Sequence, residues 1–100
     1  MTGPGTDEED RADMARLADD QDAALNSLMA RHGPKLFHYL IRFLHNEAEA
    51  EDLAQEAFVR VYLNRAKFDA RQKFSTWLYA IATHLAQDRR RWHARHPTVS

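Results

Sequence analysis

Apolar residues recur at every third or fourth position along most of this chain, and no stretch alternates apolar and polar residues long enough to predict a strand. That spacing is the period of an α-helix with one buried face. One hundred residues suffice for a single core but not for two. The sequence therefore predicts an all-α domain, a bundle of three main helices preceded by a short leading helix.

Interruptions of the apolar pattern predict where the helices begin and end. We expect residues 1–7 to be disordered and either Asp20 or Asp22 to cap the second helix. The second helix should continue through Gly33–Pro34 with a kink, because its apolar register is unbroken there. The hydroxyl of Ser75 should cap the fourth helix. The expected helices cover about residues 8–18, 25–44, 47–64 and 74–93.

The composition excludes several classes of protein. The chain has no cysteine, which excludes disulfides, cysteine-ligated zinc and thiol catalysis. It has neither a signal peptide nor an apolar run of the roughly 20 residues that a membrane span needs. Cytoplasmic residence fits these features. The net charge of −1 hides an acidic beginning and an arginine-rich end, so either only one end faces a polyanion or both are solvated charge runs.

Residues for catalysis or for metal binding are sparse. Of the six histidines, His93 and His96 have the spacing of a ligand pair, but no third ligand follows them. His32 is expected in or near the core. The acids between Glu47 and Asp52 suit the positive end of a helix dipole without any catalytic role. Three glycines do not make a phosphate loop. We therefore predict no enzyme activity, no metal and no cofactor.

The third helix has one apolar and one polar face. Leu53, Ala57 and Val61 recur at helical spacing, so their side can be buried. The opposite side is available to a partner and carries Asp52, Gln55, Glu56, Val59 and Arg60.

The fourth helix and the basic loop before it suit unpaired nucleotides. Trp77, Tyr79 and His84 lie off the core stripe, and the helix ends in arginines. Base stacking on aromatic rings contributes about 1–3 kcal/mol per base, and arginine supplies the salt-dependent attraction to phosphates. Equally, the two larger aromatic side chains could cover the core while the arginines form a solvated helix end. Composition alone leaves both readings open.

Two motifs bring a known family into view. Residues 48–58, which include Asp52-Leu53-Ala54-Gln55-Glu56-Ala57-Phe58, and residues 74–82, which begin Phe74-Ser75-Thr76-Trp77-Leu78-Tyr79, are together highly specific. The pair resembles region 2 of bacterial RNA polymerase sigma factors of the extracytoplasmic-function (ECF) type. The likeness covers roughly residues 20–96 and implies a sigma-2 domain over residues 8–96.

The resemblance implies two partners, core RNA polymerase and the promoter −10 element. The clamp helices of the polymerase β′ subunit would bind Asp52, Gln55, Glu56 and Val59. The −10 element would be melted, one base of its non-template strand being flipped into a pocket made by the 68–75 loop and the fourth helix. The corresponding DNA-binding positions are Lys73, Phe74, Trp77, Ala80, His84, Gln87, Asp88, Arg89, Arg90 and Arg91, with the three arginines holding phosphates.

Two positions depart from the family pattern. The family usually has a basic residue where this chain has Ala80, and Asn where it has His84. These changes suggest either a different −10 sequence or a sigma-like decoy that captures an anti-sigma factor without productive DNA binding. A complete factor also has a region 4, which is absent from these 100 residues. We therefore expect an excised or truncated domain in which residues 97–100 begin an interdomain linker.

Overall fold

The computed structural model describes residues 5–97, and no strand occurs among them. Within this range no helix is both long and apolar enough to cross a membrane. The predicted all-α bundle with a short leading helix is confirmed. Its elements are α1 (Thr6–Ala18), α2 (Ala24–Leu44), α3 (Glu47–Leu63), a 3₁₀ turn (Arg65–Lys67) and α4 (Phe74–Arg95).

The longer helices pack around α2, which contacts each of the other three helices. Every helix contributes one apolar stripe to a single core, because residues three and four apart share a face. The largest fully buried apolar side chains are Leu17 of α1, Leu28, Leu36 and Leu40 of α2, Val61 of α3, and Phe74 and Leu78 of α4.

The first helix begins earlier than predicted. Gly5 is extended, and its N–H donates to the Glu8 carboxylate at 3.2 Å, which closes the first turn from Thr6. The expectation of disorder is therefore wrong for residues 6–7. Residues 1–4, and residues 98–100 of the predicted linker, lie outside the described range.

The junction between α1 and α2 contradicts the predicted cap. Asp20 adopts a left-handed conformation (φ 62°), and its N–H donates to Leu17 O while Gln21 N–H donates to Arg16 O. This is a Schellman motif, so Asp20 ends α1 and is not free to begin α2. Asp22 does not cap α2 either, because Ala23 occupies the N-cap position in a helical conformation.

The second helix continues through Pro34 as one element, as predicted. It ends at His45, which is left-handed (φ 56°) and donates its N–H to Ile41 O. The next residue, Asn46, begins α3, because its side-chain oxygen accepts the N–H of Glu49 at 2.9 Å. These two residues turn the chain within a very short connection.

The fourth helix begins at Phe74, with Lys73 at the N-cap and no side-chain cap. The predicted Ser75 cap is therefore wrong: the helix already includes Ser75, whose hydroxyl lies inside the first turn. At the other end α4 continues to Arg95, two residues beyond the predicted end.

A buried polar cluster joins α1 to α2. Asp10 and Asp13 are 0% and 2% exposed. His32 is 8% exposed, which confirms the prediction that it lies in or near the core. The Asp10 carboxylate accepts from His32 Nε2 at 2.8 Å and from Arg31 Nε at 2.9 Å, and Asp13 accepts from Arg31 and Arg16. Buried carboxylates need such partners, because burying an unpaired charge is costly.

Candidate functional site

A groove of about 820 Å³ lies between the outer face of α3 and the C-terminal half of α4. Asp52, Gln55, Glu56 and Val59, the residues predicted to bind polymerase, all line it. They share one face because residues three and four apart in a helix are neighbours. The wall formed by α4 consists of Leu85, Asp88, Arg89, Trp92 and His93.

The groove combines charged groups with accessible apolar surface. Asp52 and Gln55 are exposed, and the Gln55 amide can both donate and accept hydrogen bonds. Glu56 accepts from Arg60 Nε at 3.0 Å. Val59 is 47% exposed, so its side chain is accessible to a partner.

Glu49 connects the two walls of this groove. Its carboxylate accepts from His93 Nε2 at 2.5 Å and lies 3.5 Å from Arg89 NH1. The sequence analysis assigned Glu49 only to the helix dipole, because its partners lie at least 40 residues away along the chain. Among residues 5–97 no three His, Asp or Glu side chains are grouped to hold a metal ion.

A second surface is the outer ridge of α4. Ala80, His84, Gln87 and Arg91 are exposed and follow one another at three- and four-residue spacing. Asp88 is also exposed, borders both the ridge and the groove, and forms an ion pair with Arg91. The structure therefore brings five of the ten predicted DNA-binding positions onto or beside one ridge of the helix.

The three consecutive arginines do not share that side. Successive residues turn by about 100° around a helix axis, so three in a row must face different directions. Arg91 lies on the ridge, Arg90 lies 5.1 Å above the ring of Phe43 on α2, and Arg89 pairs with Glu49 on α3. Only Arg91 lies on the ridge, so the prediction of one phosphate-binding arginine group is corrected.

An aromatic corner lies where the α3–α4 loop meets α4. The ring centroids of Phe68 and Trp77 are 5.1 Å apart, and Phe74 lies 6.0 and 6.2 Å from them. Trp77 is partly exposed, whereas Phe74 is 1% exposed. The prediction that Phe74 contacts DNA is therefore wrong for this conformation, because its ring is enclosed in the core and supports its two neighbours.

Tyr79 lies outside this corner. Its ring packs edge-on against Tyr39 of α2 at 5.2 Å, and burial raises the pKa of its hydroxyl. The Tyr39 hydroxyl shares a 2.6 Å hydrogen bond with Thr83 Oγ1. Tyr79 thus covers the α2–α4 contact, which was the structural alternative considered for it.

The loop between the 3₁₀ turn and α4 is shaped by local polar contacts. Asp69 accepts the backbone N–H of Arg71 at 2.9 Å and its guanidinium at 2.9–3.2 Å. Those hydrogen bonds, the side-chain ones first, lower the pKa of Asp69 below its usual value. Lys73 is exposed, with its amine 3.9 Å from Asp7 of α1.

Comparison with known proteins decides the family. Residues 28–96 match the family described as Sigma-70 region 2. The chain belongs to this family. The match runs from α2 to the end of α4. Both the groove and the ridge of this sigma region 2 domain therefore lie in the part of the chain that matches the family.

The curated relatives that the chain matches are named as RNA polymerase sigma factors. The sigma region 2 domain is 50% identical over 70 residues to the ECF RNA polymerase sigma factor SigW of Bacillus subtilis, covering 70% of this chain and 37% of that protein. It is 39% identical over 83 residues to the RNA polymerase sigma factor CarQ of Myxococcus xanthus, covering 83% of this chain and 47% of that protein. The predicted ECF type is confirmed, and the chain spans less than half the length of these two relatives.

A solved structure has the same fold. It is an NMR structure of an engineered region 2 of sigmaE in complex with GTAAAA, with a TM-score of 0.82 and 29% sequence identity. The match covers 99% of this chain and 100% of that one. The predicted sigma-2 type of the bundle is therefore confirmed over almost the whole chain.

Proposed function

We propose that this sigma region 2 domain acts in transcription initiation in the cytoplasm, without catalytic residues of its own. The groove between α3 and α4 binds core RNA polymerase, and the ridge of α4 with the preceding loop binds the −10 non-template strand. The observation that carries the proposal is the arrangement of the two surfaces. They meet along α4, so a bound polymerase and a bound DNA strand can occupy the domain together.

The polymerase partner is the pair of clamp helices of the β′ subunit. A groove between two helices accepts a third helix, since side chains interdigitate along it. Val59 offers an apolar contact, Gln55 offers an amide, and Asp52 favours a basic partner. The matching residues lie in the part of the chain that is similar to named RNA polymerase sigma factors.

A double substitution tests the polymerase surface. Gln55→Ala with Glu56→Ala should abolish binding to a β′ clamp-helix fragment measured by calorimetry. Its far-ultraviolet circular dichroism should stay unchanged, because Gln55 is exposed and the Glu56–Arg60 pair is a surface pair that stabilises by about 0.5 kcal/mol. The control is Glu9→Ala with Gln21→Ala, which removes the same side chains from exposed positions outside the groove. Retained binding in the first variant would contradict the polymerase role.

The DNA partner is an unpaired strand. Trp77 and Phe68 offer a partly exposed aromatic corner beside which an unstacked base can be held. Arg91 lies about 21 Å further along α4, so it is available to a phosphate elsewhere on the strand. The named structural relative was solved in complex with GTAAAA. That makes a single strand of this sequence a reasonable first probe for this chain.

Fluorescence anisotropy tests the DNA surface. Labelled GTAAAA and a set of its single-base variants should bind with a sequence preference, and affinity should fall as salt rises. Arg91 is the one ridge arginine, and one phosphate contact on a single strand predicts a slope of about −0.7 in log K against log salt. Binding that ignores both sequence and salt would contradict the proposal.

A second candidate is a sigma-like decoy that binds an anti-sigma factor. The observation that favours it is the low free positive charge of the ridge: Ala80 carries none, and Arg91 pairs with Asp88. The variant Ala80→Arg with His84→Asn discriminates the two. For a decoy, wild type should show no sequence-preferring binding and the variant should gain it. For an initiation factor, wild type should already bind.

A further inference from the structure

We infer that α1 is a positioning element for the −10 loop, defined as residues 68–73, and that Arg11 is its main contact. The inference rests on the proposed function, because it concerns how that loop is held for DNA. The family match begins at residue 28 and so does not include α1.

Buried charged side chains hold α1 on the side that faces α2. Asp10 and Asp13 point away from solvent and engage Arg31 and His32 of α2. Charge-assisted hydrogen bonds of this kind are about twice as strong as neutral ones and are directional. They set the rotation of α1 about its axis, and that rotation determines which side chains face the loop.

Two contacts join α1 to the −10 loop, and a third joins the segment just after α1 to the preceding 3₁₀ turn. Arg11 Nε donates to Ala70 O at 2.9 Å. Asp7 approaches the amine of Lys73, and Asp20, just after α1, accepts from Arg65 NH2 at 3.0 Å. The Arg11 bond is the only one of the three to reach the loop backbone, so it restrains the path of the chain rather than one mobile side chain.

The loop needs such a restraint. Apart from the packing of Phe68 in the aromatic corner, its local contacts are the Asp69–Arg71 hydrogen bonds and a turn in which Gln72 N–H donates to Asp69 O. Segments with few backbone hydrogen bonds open at low free-energy cost. A carbonyl held by a guanidinium from a packed helix adds a tertiary restraint at Ala70, in the middle of the loop.

The buried cluster also reaches the start of α4. The His32 ring lies 5.2 Å from the ring of Phe74, which in turn packs beneath Phe68 and Trp77. The cluster that orients α1 therefore also supports the aromatic corner proposed to receive a base. The middle of the −10 loop is thus held by α1 through Arg11, and the residue that follows the loop, Phe74, is supported by α2 through His32.

Substitution of Arg11 tests this inference in the 100-residue chain. Arg11→Met removes the hydrogen bond to Ala70 and keeps a long side chain, and Arg11→Lys retains a cationic donor. Arg42→Met, at an exposed position on α2, removes the same charge elsewhere. Hydrogen exchange of the amides of residues 69–73, anisotropy with GTAAAA and its single-base variants, and urea unfolding are measured for all four proteins.

We expect Arg11→Met to speed exchange in the loop by about threefold to tenfold, which corresponds to the net contribution of one ordinary intramolecular hydrogen bond. Discrimination among the oligonucleotides should fall by a similar factor, Arg11→Lys should recover at least half of each effect, and Arg42→Met should leave both unchanged. The urea midpoint should move little. Unchanged exchange and discrimination in Arg11→Met would overturn the inference, as would equal effects in Arg42→Met.

The two proposals fail in different ways. If wild type binds no oligonucleotide with sequence preference, the proposed DNA role is wrong. Loop exchange then decides the inference alone, since it requires no DNA. If wild type binds selectively and Arg11→Met leaves both the exchange and the selectivity unchanged, the DNA role stands and the positioning role of α1 is wrong.

Discussion

The two ends of α4 are held in place by different kinds of interaction. At the N-terminal end Phe74 is enclosed among core residues, with Phe68, Trp77 and His32 against its ring. At the C-terminal end the helix is tied to its neighbours through partly exposed polar contacts. Those contacts join Arg89 and His93 to Glu49, and Arg90 to the ring of Phe43.

The difference separates the buried ring that stabilises the domain from the charged contacts at the other end of the helix. Burial of an aromatic side chain contributes several kcal/mol, whereas an exposed ion pair contributes about 1 kcal/mol or less. Substitution of the buried ring at the N-terminal end should therefore destabilise the domain most. Those at the C-terminal end should change how it interacts with charged partners while the fold persists.

The largest expected effect is at the buried end. Phe74→Ala should lower the free energy of unfolding by about 3–5 kcal/mol, because it removes a buried ring and leaves a cavity. Urea denaturation followed by circular dichroism measures the loss. The matched variant at the other end is Trp92→Ala, where the side chain is 46% exposed and stacks on His96; its cost should be about 0.5 kcal/mol.

Phe74→Leu sharpens this comparison. It keeps apolar volume and should cost about 1.5 kcal/mol or less. If Trp92→Ala proves as destabilising as Phe74→Ala, the two ends of α4 are not held differently and the contrast fails.

The sequence was sufficient for the helices because each has an apolar stripe at helical spacing. The stripe of α2 predicted a single helix through Pro34, and the outward face of α3 was identified from the positions of Asp52, Gln55 and Glu56. These features depend on residues within one or two turns of each other. Local periodicity therefore determined both the elements and the first of the two candidate surfaces.

What the sequence did not predict depends on distant partners. Asp10 and Asp13 belong to an acidic run that suits a solvated helix start, yet they are buried because Arg31 and His32 of α2 donate hydrogen bonds to them. Glu49 likewise pairs with Arg89, which is distant in the sequence. Arg11 is one basic residue in an acidic segment, and nothing in its neighbours indicates the Ala70 carbonyl. Such contacts require the tertiary arrangement itself.

A smaller effect is expected where Glu49 holds the C-terminal end. Glu49→Gln should lower the free energy of unfolding by about 1 kcal/mol or less, since the ion pairs are partly exposed. Because Arg89 faces the groove and not the ridge, DNA binding should not gain a phosphate contact. A slope of log K against log salt that becomes steeper by about 0.7 would mean that Arg89 does reach a phosphate.

Glu47→Gln is the control for this prediction. It removes the same charge from the exposed first residue of α3, outside the groove. If both variants change DNA affinity equally, the cause is net charge and not the release of Arg89. If Glu49→Gln costs several kcal/mol, the C-terminal end is held as firmly as the N-terminal end.

The smallest effect concerns the −10 loop, where an exposed carboxylate adjoins the buried end of α4. Hydrogen bonds from Arg71 lower the pKa of Asp69, so the loop geometry they stabilise is fully present above the usual aspartate value of about 3.9 and is lost only as pH falls through the lowered pKa. The Arg71 amide proton shift, followed by NMR, should therefore be constant near neutral pH and titrate with a midpoint below about 3.9. Asp69→Asn should remove the transition. A midpoint above the usual value would mean that Arg71 does not hold the carboxylate in solution, and the local restraint on the loop would then be weaker than the restraint from α1.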